Sequence, residues 1–373
     1  MRRSPVLNVA LLAAGFALVA APDLAAAEVT KQLKAEMAVA PSASFAVENL
    51  AGVMHVVQGS GSSVVVSATV HGESDEVASL VHLEQVQSDK GVPTLRVQYP
   101  IDCYGTIRYP ARHDGDTPSW LKWFGGEGST LKYGGQKVRV SGGSGVLLYT
   151  DVEVQLPARS GDGLLKNHVG VLQAKSVEGT FRFDTDSGDI ALEKVHGTVK
   201  ADTGSGDVNA VDSGGTLSCD TGSGDCTIER FSGDRLDCDV GSGDVTIRSG
   251  DIRRIDVDTG SGDVMVKDVD TEEFTSDCGS GDILFESSSA RLSRITTDSG
   301  SGDVVLRLGP DASFEARADQ GSRDLVNHYA DSQPIAHGRE VIGYKRGDGR
   351  TQIRVETGSG DLVIEPGGAK ASR

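Results

Sequence analysis

The chain has 373 residues, 48 of them glycine, only 5% aromatic side chains, and a formal net charge of -18. That length allows a sizeable core. The charge excludes nucleic acid as a partner, because neutralising phosphates takes clustered Lys and Arg. It also repels anionic membranes and favours cations.

In chain order, residues 1–27 read as a signal peptide. Arg2 and Arg3 form a charged start, Val6 to Ala21 is apolar, and Ala25-Ala26-Ala27 supplies a small-residue cleavage site. A membrane anchor is the alternative, but the apolar run is short of the roughly 20 residues a span requires. No cysteine follows the cleavage site to carry a lipid. The expectation is an exported product, periplasmic, surface-bound or secreted, with no membrane span in the mature chain.

Residues 28–160 read as an N-terminal β region. Phe45 to Asn49, Val53 to Val57, Val64 to Val70, Thr94 to Tyr99, Lys137 to Val140 and Leu147 to Leu156 have strand character. Glu76 to Leu83 fits a short helix or a strand. The stretch 101–136 reads as one long loop, and it holds Trp120, Trp123 and Phe124. Loops of that length are uncommon unless functional or disordered. The aromatic group has two readings, a hydrophobic plug at the end of the fold or a partner-binding patch.

Residues 161–365 are a repeat. The Ser-Gly-Asp aspartates Asp189, Asp207, Asp225, Asp244, Asp263, Asp282 and Asp303 follow one another at 18, 18, 19, 19, 19 and 21 residues. Asp324 and Asp361 close two further copies, and residues 366–373 trail off as a flexible tail. A fixed period near 20 marks a stacked repeat. A second acid stands five residues before each of these: Asp184, Asp202, Asp220, Asp239, Asp258, Asp277, Asp298, Asp319 and Glu356.

Apolar residues alternate with polar ones in each copy. Phe181, Val199, Leu217, Leu236, Ile255, Phe274 and Ile295 hold one position; Ile190, Val208, Cys226, Val245, Val264, Ile283 and Val304 hold another. Period two means half-buried strands, two per copy. Gly-Ser-Gly supplies a tight corner, and a looser turn such as Asp212-Ser213-Gly214-Gly215 supplies the other. The fold class expected is all-β, a β-solenoid of 18–21-residue coils with a strand-rich N-terminal cap region.

The leader, the phrase Phe45-Ala46-Val47-Glu48-Asn49-Leu50-Ala51-Gly52 and the serial Thr-Gly-Ser-Gly-Asp-Val copies together resemble the bacterial "putative adhesin" β-strand-repeat family, whose function is not known. The resemblance covers most of residues 40–365. It implies an extracytoplasmic β-solenoid and brings no catalytic residues with it. The long loop 101–136 and the copy near 304–345 depart from the family pattern.

For chemistry, the acidic columns stand out. Like charges on neighbouring strands, about 4.8 Å apart, repel by roughly 1 kcal/mol in water. One reading has each earlier aspartate accepting hydrogen bonds from Gly and Ser amides of its own corner. The other places Ca²⁺ between rungs, with Asp202, Asp207, Asp220, Asp225, Asp239, Asp244, Asp258, Asp263, Asp277 and Asp282 as candidate ligands. Of the five cysteines, Cys103, Cys219, Cys226, Cys238 and Cys278, most read as small core residues, and Cys219 and Cys238 should stack on successive rungs, where a disulfide between them is one option. The chain has no Gly-x-Ser-x-Gly, His-Glu-x-x-His or Walker phrase. The expectation is a non-catalytic structural or adhesin-like binding module for a protein or glycan ligand, with no cofactor unless Ca²⁺. A Ca²⁺-stabilised solenoid and a carbohydrate-active enzyme are the alternatives.

Overall fold

The computed structural model describes residues 28–40, 43–88, 90–110, 128–157, 161–318 and 324–367. The leader 1–27, the aromatic residues Trp120, Trp123 and Phe124, the acid Asp319 and the last residues of the tail lie outside them.

Each repeat copy lays down two strands, and each strand pairs in parallel with its counterpart in the next copy. One sheet stacks Leu172–Lys175, Ile190–Glu193, Val208–Val211, Cys226–Glu229, Val245–Arg248, Val264–Lys267, Ile283–Ser287 and Val304–Leu308. The second sheet stacks Asp162–Val169, Glu178–Thr185, His196–Ser205, Gly214–Ser223, Ser232–Ser242, Asp251–Ser261, Glu273–Cys278 and Arg294–Ser299. The molecule is therefore a flattened parallel β-solenoid with two faces. The apolar columns read from the sequence meet between the sheets, and every member of the two columns named above is buried. Phe274 and Phe285 stack across the gap with ring centroids 4.5 Å apart. Each such side chain contributes about 1.5–3 kcal/mol by leaving water.

The two corners are built differently. At the Gly-Ser-Gly corner the second glycine has positive φ, as in Gly262 at +146°, and a Cβ there would sit 2.0 Å from the Gly243 carbonyl oxygen of the rung below. The corner therefore accepts glycine on two counts, conformation and space. The opposite corner turns through a left-handed residue that is not glycine: Lys194, Asp212, Arg230, Ser249 and Asp268 all lie at φ between 52° and 57°.

The rungs do not follow chain order at either end. Phe45–Ala51 and Met54–Gln58 form a full rung that stacks directly on Asp162–Val169 and Leu172–Lys175. The sheets thus run across the boundary expected at residue 160. Beyond that rung, Pro93–Gln98 extends the second sheet and Val146–Leu156 the first. Ser63–Gly72 and Val29–Ala38 add antiparallel strands on one side. His82–Gln87 closes the other. The stretch expected as helix or strand splits into a short helix, Asp75–Ser79, and the strand His82–Gln87.

The long loop expected over 101–136 needs correcting. It contains the strands Thr106–Arg108 and Ser129–Tyr133, and Ser129–Tyr133 forms a hairpin with Gln136–Ser141. Gly134 and Gly135, both at positive φ, make the two-residue turn that alternation alone had not revealed.

At the C-terminal end, Thr351–Thr357 pairs with Arg294–Ser299 on one side and Phe314–Ala318 on the other. Leu362–Pro366 likewise lies between Val304–Leu308 and Leu325–Asn327. The last repeat copy in sequence is therefore the penultimate rung in space. The antiparallel hairpin Gln333–His337 and Glu340–Arg346 covers the outer edge of Phe314–Ala318.

Candidate functional site

The two aspartate columns have different surroundings. The Ser-Gly-Asp column is a corner ladder. Asp189 Oδ1 accepts the Asp207 backbone N–H at 2.9 Å, and Asp207 accepts that of Asp225 at the same distance. The ladder continues through Asp244, Asp263, Asp282, Asp303 and Asp361 to Asp324. Each carboxylate from Asp189 to Asp361 satisfies an amide at the corner of the next rung. Inside the same corner, buried hydroxyls donate to glycine carbonyls: Thr185 and Thr203 to Gly188, Thr221 to Gly206. Asn167 serves the first rungs in the same way, donating to the Gly52 carbonyl, and Asn49 donates to the Asn167 side chain. That gives Asn49 in the N-terminal phrase a structural role.

Asp189 is the most enclosed member of the ladder. Burial, with the charge of Asp207 adding to it, pushes its carboxyl up to about 6 against the pull of the Asp207 amide. Asp207 is raised for the same reasons, burial first and then the neighbouring Asp225 charge.

The earlier column corrects the sequence reading. These acids do not cap their own corners; they point outward from the second sheet, in register from rung to rung. Asp184, Asp202, Asp220, Asp239, Asp258, Asp277, Asp298 and Glu356 lie directly beside one another. Towards the N-terminus the same column continues as Lys166, Glu48 and Arg96. Its two halves differ in charge balance. Arg96 pairs with Glu48 at 2.7 Å, Lys166 with Asp184 at 2.8 Å, Arg182 with Asp202 at 2.6 Å and Lys200 with Asp220 at 3.3 Å. From Asp239 to Glu356, no Lys or Arg among the described residues pairs with the column. Burial and then the charges of Asp277 and Asp239 raise the Asp258 carboxyl. Two residues earlier on the same strands and face, Arg235 bridges Asp237 and Asp256, at 2.7 and 3.0 Å, so the adjoining acids are partly balanced.

The N-terminal part of this face is covered. Tyr133 of the hairpin is buried, packs edge-on against His168 and donates its hydroxyl to the Val97 carbonyl. His168 sits between Asp186 at 2.6 Å and Glu48 at 3.0 Å. Burial alone would lower the His168 pKa, but its hydrogen bonds to Asp186 and Glu48 raise it. Burial likewise works against Asp186, yet His168 and Lys166 hold that carboxyl down at about 2.

The ten candidate calcium ligands therefore divide. Asp207, Asp225, Asp244, Asp263 and Asp282 each have one oxygen committed to the next rung, while Asp202 and Asp220 face Arg or Lys. Asp239, Asp258 and Asp277 remain outward and unpaired. Among the described residues, the group of three or more His, Cys, Asp or Glu side chains whose ligand atoms lie within 4.8 Å of one another is Cys219, Cys226 and Cys238; the aspartates form no such group. The stacking of Cys219 on Cys238 follows from their equivalent places in the repeat; the approach of Cys226 does not, because it comes from the opposite sheet. Cys219 is bonded to Cys226, not to its register partner Cys238. No helix among the described residues is long and apolar enough to cross a membrane.

A two-faced parallel β-solenoid with a glycine–aspartate corner ladder is the class of protein defined by this geometry. Residues 213–365 match the family described as Toastrack DUF4097, a domain of unknown function, and so bear out the resemblance to an adhesin-like β-repeat family. No curated protein matches the chain. Similar solved structures include one described as a putative adhesin from Parabacteroides distasonis, 12% identical, with 90% of this chain and 97% of that one covered and a TM-score of 0.41. Another, described as a putative lipid binding protein from the same species, is 8% identical, with 90% and 96% covered and a TM-score of 0.40. A third, described as a putative adhesin from Parabacteroides merdae, is 12% identical, with the same coverage and a TM-score of 0.39. At these scores the likenesses add nothing to the functional argument.

Proposed function

We propose that this chain is an exported, non-catalytic solenoid that serves as a structural or adhesin-like binding module, and that the outward acidic column from Asp239 to Glu356 is its contact surface. The observation that carries this reading is the contrast along one column. The fold balances its outward acids with Arg96, Lys166, Arg182 and Lys200 at one end and leaves them unbalanced at the other. Stacked like charges about 4.8 Å apart are unfavourable, and a cationic partner removes that cost. The complementary chemistry is a Lys- or Arg-rich protein segment, or a glycan held through a bridging divalent cation. A row of acids in register over many rungs supports an extended binding surface over a single catalytic centre. Export rests on the leader-like residues 1–27.

A second reading has Ca²⁺ itself on the outward column, favoured by the raised Asp258 carboxyl between Asp239 and Asp277. Thermal unfolding of the protein in EDTA and then in millimolar Ca²⁺ separates the two. A rise in Tm with Ca²⁺ that is lost in Asp258→Asn would establish cation binding. An unchanged Tm removes calcium, and the acidic contact surface is then tested by binding of a poly-lysine peptide. Binding that Asp239→Asn, Asp258→Asn, Asp277→Asn fails to weaken would sink that reading too.

A further inference from the structure

Three of the five cysteines meet inside the solenoid. Cys219 and Cys238 are in register on successive rungs of the second sheet, and Cys226 faces them from the first sheet in the same rung as Cys219. Cys219 is bonded to Cys226 across the core, with Cα atoms 7.0 Å apart. Cys226 Sγ also lies 3.6 Å from Cys238 Sγ. All three side chains are buried. The rungs on either side offer Ala201, Val208, Val245 and Val257 at the equivalent positions.

A soft metal ion is the competing occupant of three converging sulfurs. Zinc in a closed site takes four ligands, and among the described residues no fourth His, Cys, Asp or Glu joins this group. Three thiolates around a monovalent ion would leave net negative charge in an apolar cage, an expensive burial. Burial already pushes the Cys238 thiol up to about 12. Neutral sulfur, one disulfide and one thiol, is the form that suits the surroundings.

We infer that Cys226 is a shared pivot: the cluster is a disulfide site that closes on Cys219 within one rung or on Cys238 of the next, so that it always staples the two sheets and always keeps one thiol in reserve. The bond forms when two thiols give up two electrons and two protons to an external disulfide oxidant, which leaves as two thiols. Exchange needs no oxidant. The Cys238 thiolate attacks Cys226 Sγ, the Cys226–Cys219 bond breaks, and Cys219 leaves as a thiolate and takes the proton that Cys238 gave up. Because the closed core excludes reagents, oxidation belongs to the folding chain, before the rungs around Cys226 close.

Neighbouring rungs supply substitutions already compatible with each position: Cys219→Ala copies Ala201, Cys238→Val copies Val257 and Cys226→Val copies Val245. The full chain and each variant are refolded in a glutathione redox buffer. Free thiols are then blocked under denaturing conditions, and the bonds are mapped by mass spectrometry. The expected wild type has one disulfide, always through Cys226. Cys219→Ala should bond Cys226 to Cys238, Cys238→Val should bond Cys226 to Cys219, and Cys226→Val should have no bond in this cluster. A Cys219–Cys238 bond in the wild type overturns the inference. So does a free Cys226 in the folded Cys219→Ala protein, or three unoxidised sulfurs with one equivalent of copper or zinc by elemental analysis.

Discussion

The Gly-Ser-Gly corner and the outer face of the second sheet carry the same residue, aspartate, five positions apart in the same repeat. At the corner each carboxylate from Asp189 to Asp361 has a task, because it accepts the backbone amide of the aspartate on the next rung. On the face the carboxylate has no backbone duty, and its company is set by whichever residues the adjacent columns supply. Stacking turns any repeated residue into a column. What that column does depends on whether the backbone beside it is already satisfied.

That contrast can be broken most sharply with Gly262→Ala. The added Cβ meets the Gly243 carbonyl at 2.0 Å in a conformation disfavoured for alanine, so urea unfolding should show a loss of about 3 kcal/mol or more. A loss under 1 kcal/mol would mean that the corner is not a steric ladder.

Asp189→Asn sharpens the contrast from the other side. Asparagine keeps the acceptor for the Asp207 amide and removes the buried charge. The folded carboxyl titrates near 6 and the unfolded one near 3.8, so its contribution is fully present below pH 3.8 and is lost as pH rises through 6. The variant should match the wild type near pH 3.5 and exceed it by up to about 3 kcal/mol at pH 7. Denaturation curves at both pH values decide this, and an equal or lower stability at pH 7 contradicts it.

The smallest effect comes from a pair of changes on one rung. Asp263→Ala strands the Asp282 amide and should cost about 1–2 kcal/mol whatever the salt concentration. Asp258→Ala, on the face, should be neutral or stabilising by about 0.5 kcal/mol at low salt, with the gain vanishing near 1 M salt. Equal costs for the two would erase the distinction between the columns.

Much of the solenoid was legible because stacking makes the sequence periodic: the corner glycines, the buried columns and most N-terminal strands follow from spacing and alternation. The order of the rungs was not. Nothing local in Phe45–Ala51 says that its neighbour is Asp162–Val169, more than a hundred residues on, since parallel pairing leaves no mark within either strand. The hairpin around Gly134-Gly135 escaped notice because its strands are short and mostly polar. At the site, the acids were visible, but the corner task was assigned to the earlier column instead of the Ser-Gly-Asp column. The Asx-type turn is a local idea, whereas Asp189 bonds an amide one whole coil away. Of the cysteine cluster, the Cys219–Cys238 stack was legible from the repeat, but Cys226 was not, because it belongs to the opposite sheet.

The intercalated rung at the C-terminal end bears on the timetable of assembly. Thr351–Thr357 and Leu362–Pro366 must slot between strands that the chain has already produced. A solenoid growing coil by coil from its N-terminus would therefore stall at the edge formed by Arg294–Ser299 and Val304–Leu308 and wait for residues 351–366. Completion depends on contacts distant in sequence, which slows the final step. Until it occurs, two open parallel edges are available to another molecule at the same stage. Residues 351–366 thus act as the closing wedge of the fold, and a chain cut before them would retain the edges that this rung is there to occupy.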